Sequence, residues 1–193
     1  MTEEHKILAL IPARMGSSRF PGKPLAKILD KPMVGHVYDR VRQCNILKQT
    51  VVATCDQEIA DYIISIGGQA VMTGDHHQRA TDRCAEALKL LEEKQKIEFE
   101  IIVMVQGDEP MVHPDMISEV VQPMLDDSGI LVTNLCGRIE SNQEFNDINV
   151  VKVVYDLDGN ALYFSREPIP NTKNIADVPA CKQYGIIAFQ REF

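Results

Sequence analysis

Ile11-Pro12-Ala13-Arg14-Met15-Gly16-Ser17-Ser18-Arg19-Phe20-Pro21-Gly22-Lys23-Pro24 is the stretch whose reading decides the fold. The apolar run Ile7 to Ile11 just before it reads as a buried strand. Pro32 with Met33, Val34, Val37 and Val41 after it reads as the first helix. A loop rich in Gly, Ser, Arg and Lys therefore leaves the end of a first strand. In open α/β sheets ligands bind beyond the carboxyl ends of the strands. From Lys6 to Leu29 there are five basic residues (Lys6, Arg14, Arg19, Lys23, Lys27) and no Asp or Glu, in a chain of net charge −8. Arg offers forked donors to phosphate oxygens, Lys a mobile point charge, and Gly lets backbone N–H groups come close. The natural guest is a polyphosphate.

The loop is not a standard P-loop. Five residues separate Gly16 from Gly22, and Pro24 stands after Lys23 where a hydroxyl would be needed for a metal. With no GxGxxG either, ATPase and dinucleotide readings lose their main support.

Composition sets the outer bounds. A chain of 193 residues, 45% hydrophobic and 25% charged, is expected to be a single domain spanning 1–193 with a real core. No apolar run is long enough to span a membrane, and Met1 to Lys6 lacks a signal-peptide pattern, so a cytoplasmic protein with no membrane partner is expected. The acidic balance argues against nucleic acid as a partner. Five scattered cysteines (Cys44, Cys55, Cys84, Cys136, Cys181) without a CxxC read as reduced structural thiols.

Along the chain, Thr50 to Thr54 reads as a second strand, and Asp56 as the cap of a helix carrying Ile59, Ile63 and Ile64. Gln69 to Met72 is a short third strand. The polar connector Thr73 to Arg83 leads into a helix that runs to about Leu91. Ile101 to Val105 lacks polar alternation and should be an interior strand, ending in Gln106-Gly107-Asp108-Glu109-Pro110. A helix from Pro114 to Leu125 and a strand from Ile130 to Leu135 follow. Val150–Val154 and Ala161–Phe164 then form a hairpin around Asp158-Gly159-Asn160, Arg166 to Pro179 is a loop, and Tyr184 to Phe189 is a last strand. The fold class is α/β: a mostly parallel mixed sheet with helices on both faces and an inserted β-hairpin.

Asp108 falls just past the end of the interior strand, on the same sheet edge as the basic loop. A carboxylate there is the usual protein contribution to a magnesium ion that neutralises phosphate charge. Asp75-His76-His77, by contrast, reads as a surface loop, since adjacent residues rarely chelate one ion.

Three segments, in this order, carry a specific resemblance. Ala13 to Leu25, Gln106 to Pro110, and Val150 to Val154 with Ala161 to Arg166 resemble the 3-deoxy-manno-octulosonate (Kdo) cytidylyltransferases, or CMP-Kdo synthetases. The resemblance implies a Rossmann-like nucleotidyltransferase fold and a magnesium-dependent reaction of CTP with an acidic 2-keto-3-deoxy sugar, giving a CMP-sugar and pyrophosphate. It implies that Arg14, Lys23 and Asp108 are catalytic, with Asp108 on the metal. It places Ala13, Arg14, Gly16, Ser17, Arg19, Lys23, Thr73 and Gln106 around the nucleotide, and Arg83, Arg166 and Gln183 near the sugar.

Three departures stand out. The family's Asp-His-x-Ser-Gly-Thr-(Asp/Glu)-Arg connector here has His76, Arg79 and Ala80 in place of Asp, Ser and Gly. Gln183 stands where the family has a His, and Ile187 where it has a Tyr. The family also continues past the last strand into a segment with a second metal-binding Asp and part of a homodimer contact, so this chain reads as C-terminally shortened. The alternative expectations are a catalytically weak nucleotide-binding homologue and a nucleotidyltransferase for another base.

Overall fold

A computed structural model describes residues 5–16, 20–172 and 175–193, with the side chain of Asp177 left out. The chain divides into two compact units, 1–133 with 185–193 and 134–184.

The first unit is built on a parallel sheet. Its strands are β1 (Ile7–Ala13), the short β2 (Lys27–Ile28) and β3 (Lys31–Pro32), β4 (Gln49–Thr54), β5 (Ala70–Met72) and β6 (Ile101–Val105). Helices α1 (Met33–Val41), α2 (Gln57–Ser65), α3 (Ala80–Gln95) and α4 (Pro114–Asp126) alternate with them. The order β5–β4–β1–β6 is parallel throughout, and residues 186–190 add an antiparallel strand beside β6. Every residue of β1 and β6 is buried, as strands covered on both faces require. Leu8, Leu10, Val51, Ala53, Ile102 and Met104 point to one face and pack with Cys84, Ala87 and Leu91 of α3. The alternate residues Ile7, Ala9, Ile11, Val52 and Val103 are equally buried, and α1 and α4 touch each other and the sheet. Period-two alternation thus feeds two cores from one strand.

Helix α4 starts where the sequence suggests: Pro114 opens it, and His113 accepts the N–H of Asp115. Asp56, read as the cap of α2, makes no side-chain cap bond there. Its carboxylate is used elsewhere, as described below. The β2–β3 hairpin was not expected; it turns through Leu29 at φ 58°.

The second unit carries β7 (Val132–Arg138, entering at Asn134), α5 (Asn142–Asn146), β8 (Lys152–Tyr155), β9 (Ala161–Ser165) and the start of β10 (Cys181–Gln190). β8 and β9 form the expected antiparallel hairpin, and β8 also pairs with Cys181 and Lys182. Asp156 closes the hairpin turn by accepting from the N–H groups of Asp158 and Asn160. Ile139, Phe145 and Ala180 form a small core. Beside it Lys152 is fully buried and donates to the carbonyls of Asp147, Val150 and Arg166 at 2.8, 2.8 and 2.6 Å. Three donors meet three acceptors, which is how a buried ammonium is tolerated.

Among the described residues no helix is long and apolar enough to cross a membrane. All five cysteines are free; burial pushes the Cys84 thiol up to about 12.

Candidate active site

The basic loop leaves β1 and returns on itself. Gly22 adopts φ 75°, a left-handed value that favours glycine, and its N–H bonds the Met15 carbonyl at 3.0 Å. The Gly22 carbonyl then accepts from Leu25 and Ala26, so Lys23 sits in a short 3-10 turn anchored by buried Pro24. At the other end the Asp56 carboxylate accepts the N–H of Met15 at 2.8 Å. A residue just past β4 therefore fixes the loop that follows β1. Arg14 is exposed and Gly16 open; Ser17 and Arg19 lie outside the described residues.

The second part of the site follows β6. A side chain at Gly107 would place its Cβ 2.8 Å from the Pro12 carbonyl oxygen, so only glycine lets this turn lie against the end of β1. The Gln106 N–H bonds the Gly185 carbonyl at 2.9 Å, and the Gly185 N–H bonds Glu109 Oε1 at 3.2 Å. Burial pushes the Glu109 carboxyl up, the Gly185 N–H and Lys23 oppose this, and Asp108 adds to it. Asp108 is left facing outward, and Lys23 Nζ donates to its Oδ2 at 2.5 Å. The two segments thus meet through an ion pair.

The third part is the connector after β5. Arg83, only 3% exposed, donates to Thr73 Oγ1 at 2.5 Å and to the Gly74 carbonyl at 3.2 Å. Glu86, one helical turn on, accepts from the Gly74 N–H and from His77 Nε2. The His77 bond, then the Gly74 N–H, hold the Glu86 carboxyl below the usual range. Arg14 donates to the His77 carbonyl at 3.4 Å. Together they border a pocket of about 210 Å³ lined by Pro12, Ala13, Arg14, Gln106, the 77–80 segment and Arg83.

The structure therefore brings Ala13, Arg14, Gln106 and Arg83 to one pocket, with Thr73 bound to Arg83 and with Lys23 and Asp108 paired. Gln183 and Arg166 lie in the second unit. Gln183 donates to Asn134 Oδ1 at 2.6 Å, and Arg166 donates to the carbonyl of Ile148 at 2.9 Å.

Among the described residues no group of three or more His, Cys, Asp or Glu side chains is placed to hold a metal. Asp108 is a single, half-exposed carboxylate beside a phosphate-suited loop. Such a donor set suits a hard cation that takes its other ligands from phosphate and water.

With this geometry in place, comparison with known proteins is decisive. A family model described as cytidylyltransferase matches residues 8–191. The chain belongs to the cytidylyltransferase family. This member is 46% identical over 169 residues to a 3-deoxy-manno-octulosonate cytidylyltransferase of Geobacter metallireducens, covering 88% of the chain and 64% of that protein. It is 43% identical over 199 residues to the protein of the same description from Geotalea daltonii, covering 97% of the chain and 76% of the relative. The chain thus spans less than two thirds of the first relative's length. Among solved structures, a CMP:2-keto-3-deoxy-manno-octonic acid synthetase complexed with CTP superposes with a TM-score of 0.85 at 41% identity, over 97% of this chain and 75% of the other. The likeness bears out the α/β nucleotidyltransferase fold expected from the alternating strands and helices.

Three carboxylates of this family member have roles that the sequence reading did not assign: Asp56, read there as a helix cap, Glu86 and Glu109. Each acts on backbone N–H groups distant in sequence, so no local spacing announces it. The only available signal was that all three carboxylates fall beside segments singled out for other residues.

Proposed function

We propose that the protein is a cytidylyltransferase that activates an acidic 2-keto-3-deoxy sugar, Kdo or a related octulosonic or nonulosonic acid. CTP is the co-substrate and CMP-sugar and pyrophosphate are the products. The observation that carries this reading is the meeting of Lys23 and Asp108 at the carboxyl edge of the sheet, beside the pocket that holds Arg14 and Gln106. The described relatives and the CTP-bound structure support it.

In this proposal Arg14 and Lys23, with Arg19 and the backbone at Gly16 and Ser17, bind the triphosphate. Ala13, Thr73 and Gln106 border the nucleoside, and Arg83, Arg166 and Gln183 remain the residues proposed for the sugar. The sugar's anomeric oxygen forms a bond to the α-phosphorus and gives up its hydroxyl proton to solvent, while the bond to the bridging oxygen of the β-phosphate breaks and pyrophosphate leaves. Charge on the α-phosphoryl oxygens grows along this path, and a fixed ammonium at Lys23 stabilises it more in the transition state than in the ground state. Loop and pocket together hold the reactants in line, so no nucleophilic side chain and no covalent enzyme intermediate are required. Asp108 would hold a divalent cation, magnesium by the chemistry of its oxygen donors, which supplies neutralisation of phosphate charge. Its present partner, Lys23, is then free to turn to phosphate.

The site of action proposed is the cytoplasm. We also propose a homodimer for a form of the protein that carries the family's C-terminal segment, with a further contact on the second unit. In the second unit β9 ends its run of paired strands, with Leu162, Tyr163 and Phe164 exposed at 66%, 62% and 41% and Leu157 beyond them fully exposed. An edge strand this apolar is a template for pairing with its own copy.

The reading is tested by ³¹P NMR of CTP, magnesium and Kdo with the protein. A new CMP-sugar phosphodiester resonance growing with pyrophosphate is the expected result. CTP that stays intact with every acidic sugar tried, while still binding, would leave only a nucleotide-binding protein.

A further inference from the structure

The turn that presents Asp108 is fixed from several sides. The Glu109 N–H closes it by donating to the Gln106 carbonyl at 3.1 Å, which leaves Gly107 and Asp108 at the tip. Gly107 lies against the Pro12 carbonyl, so the turn abuts the end of β1. On its other side both backbone groups of Gly185 are taken by the same turn. The Gly185 carbonyl accepts the Gln106 N–H at 2.9 Å, and the Gly185 N–H donates to Glu109 Oε1 at 3.2 Å. A Cβ at residue 185 would stand 2.9 Å from that oxygen and 2.7 Å from Gln106 Cγ, so glycine admits both side chains to the strand. The strand is itself anchored, since Ile186 pairs with Val105 of β6.

Asp108 has no such support of its own. Among the described residues its carboxylate is held by Lys23 alone, in a pair open to solvent. In the proposed reaction Lys23 turns to phosphate, and that resting contact is gone. What remains to aim the carboxylate is the turn. Glu109 supplies the only side-chain bond, among the described residues, between this turn and the sheet.

We infer that Glu109 is a positioning residue for the metal-binding carboxylate: it touches neither substrate nor cation and acts by pinning the Asp108 turn to Gly185. The inference rests on the nucleotidyltransferase reading above, in which Asp108 holds a divalent cation. A ligand that must be ordered at the moment of binding loses affinity for its ion. Partners that orient a metal ligand typically account for roughly 10–100-fold in metal affinity or activity. The role needs an acceptor oxygen at the reach of a glutamate and does not need the charge. Two conservative variants therefore part position from charge. Glu109→Gln keeps the reach and gives up the charge; Glu109→Asp keeps the charge and falls one methylene short.

The test has three readouts on wild type and both variants. Amide exchange at Gly185, followed by NMR in the metal-free protein, reports the pin itself. Water-proton relaxation with manganese(II), in the presence of saturating CTP, reports cation affinity. Steady-state kinetics with magnesium separate kcat from the sugar KM. Glu109→Asp should exchange the Gly185 amide faster, bind manganese about tenfold more weakly and lose about tenfold in kcat, with the sugar KM unchanged. Glu109→Gln should stay close to wild type in all three. The reverse order, with Gln impaired and Asp close to wild type, would make Glu109 a charge or a direct ligand and overturn the inference. So would faster Gly185 exchange in Glu109→Asp without loss of manganese affinity, which is what a merely structural bond would give, or a Glu109→Gln chain that fails to fold. Wild type that gains no manganese affinity from CTP would overturn the nucleotidyltransferase reading and this inference with it, a result distinguishable from the others because it precedes any substitution.

Discussion

Lys23 Nζ and Asp108 Oδ2 lie 2.5 Å apart although 85 residues separate them in the chain. One ends the phosphate-suited loop after β1, and the other follows β6. Their side chains are 34% and 46% exposed, so solvent screens the pair and it adds little to stability. It is a resting contact between a cation proposed for phosphate and a carboxylate proposed for metal. Lys23→Ala is therefore expected to shift the unfolding free energy by no more than about 1 kcal/mol. The same substitution should lower turnover by a factor on the order of 10²–10³. Denaturant unfolding and kcat measured on one preparation check the split; a large stability loss with modest kinetic change would contradict it.

Asp56 fixes the loop rather than the helix it precedes. Asp56→Ala leaves the Met15 N–H without its partner and frees the loop between Ala13 and Gly22. The expected outcome is a KM for CTP raised several-fold and a stability loss of about 1 kcal/mol. Substitution of Gln57, the exposed first residue of α2, should change neither. Steady-state kinetics at varied CTP decide this.

Glu86 gives the connector a pH dependence. Its folded-state carboxyl ionises below the usual value, first because His77 donates to it and then because of the Gly74 N–H. Between the folded and unfolded values the unfolded chain binds more protons. The contribution is thus complete above about pH 4.5 and is lost as pH falls through the lower folded value. Glu86→Gln should lower the Tm most near neutrality, with the gap to wild type closing at lower pH. A gap constant from pH 7 down to 3.5 would remove the carboxylate from this role.

The β9 edge is expected to hold the dimer. Leu162→Lys and Phe164→Glu should raise the dimer dissociation constant at least tenfold in sedimentation experiments, on this chain and on any longer form carrying the family's C-terminal segment. A longer form that stays monomeric at every concentration would contradict the proposal.

Apolar periodicity made most of the first unit legible. Ile7–Ile11, Thr50–Thr54 and Ile101–Val105 read as buried strands because a strand covered on both faces leaves no room for polar alternation. The β2–β3 hairpin was not legible: each strand has two residues, and its turn uses Leu29 in a conformation that side chains rarely adopt. α5 has five residues, too few for a periodic signal. β10 starts at Cys181 rather than Tyr184, because Lys182 and Gln183 look like loop residues until Glu144 and Asn134 are seen to bind them. At the site, residues carrying charge into solvent or ligand space, such as Arg14, Lys23 and Asp108, stood out by type and place. The roles of Asp56, Glu86 and Glu109 did not, since their partners, backbone N–H groups and for Glu86 also His77, are brought near only by the fold. Arg83 was visible, but sequence alone could not show that it lines the pocket with Ala13 and Gln106.

Pyrophosphate release with magnesium, CTP and a panel of acidic sugars headed by Kdo tests the central claim most directly. Wild type should release pyrophosphate with one of these sugars, and Asp108→Ala and Lys23→Ala should slow that release by a factor on the order of 10² or more while remaining folded. Release at close to the wild-type rate in both variants would contradict the site. So would no release by wild type, or by a longer form of the chain, with any sugar in the panel.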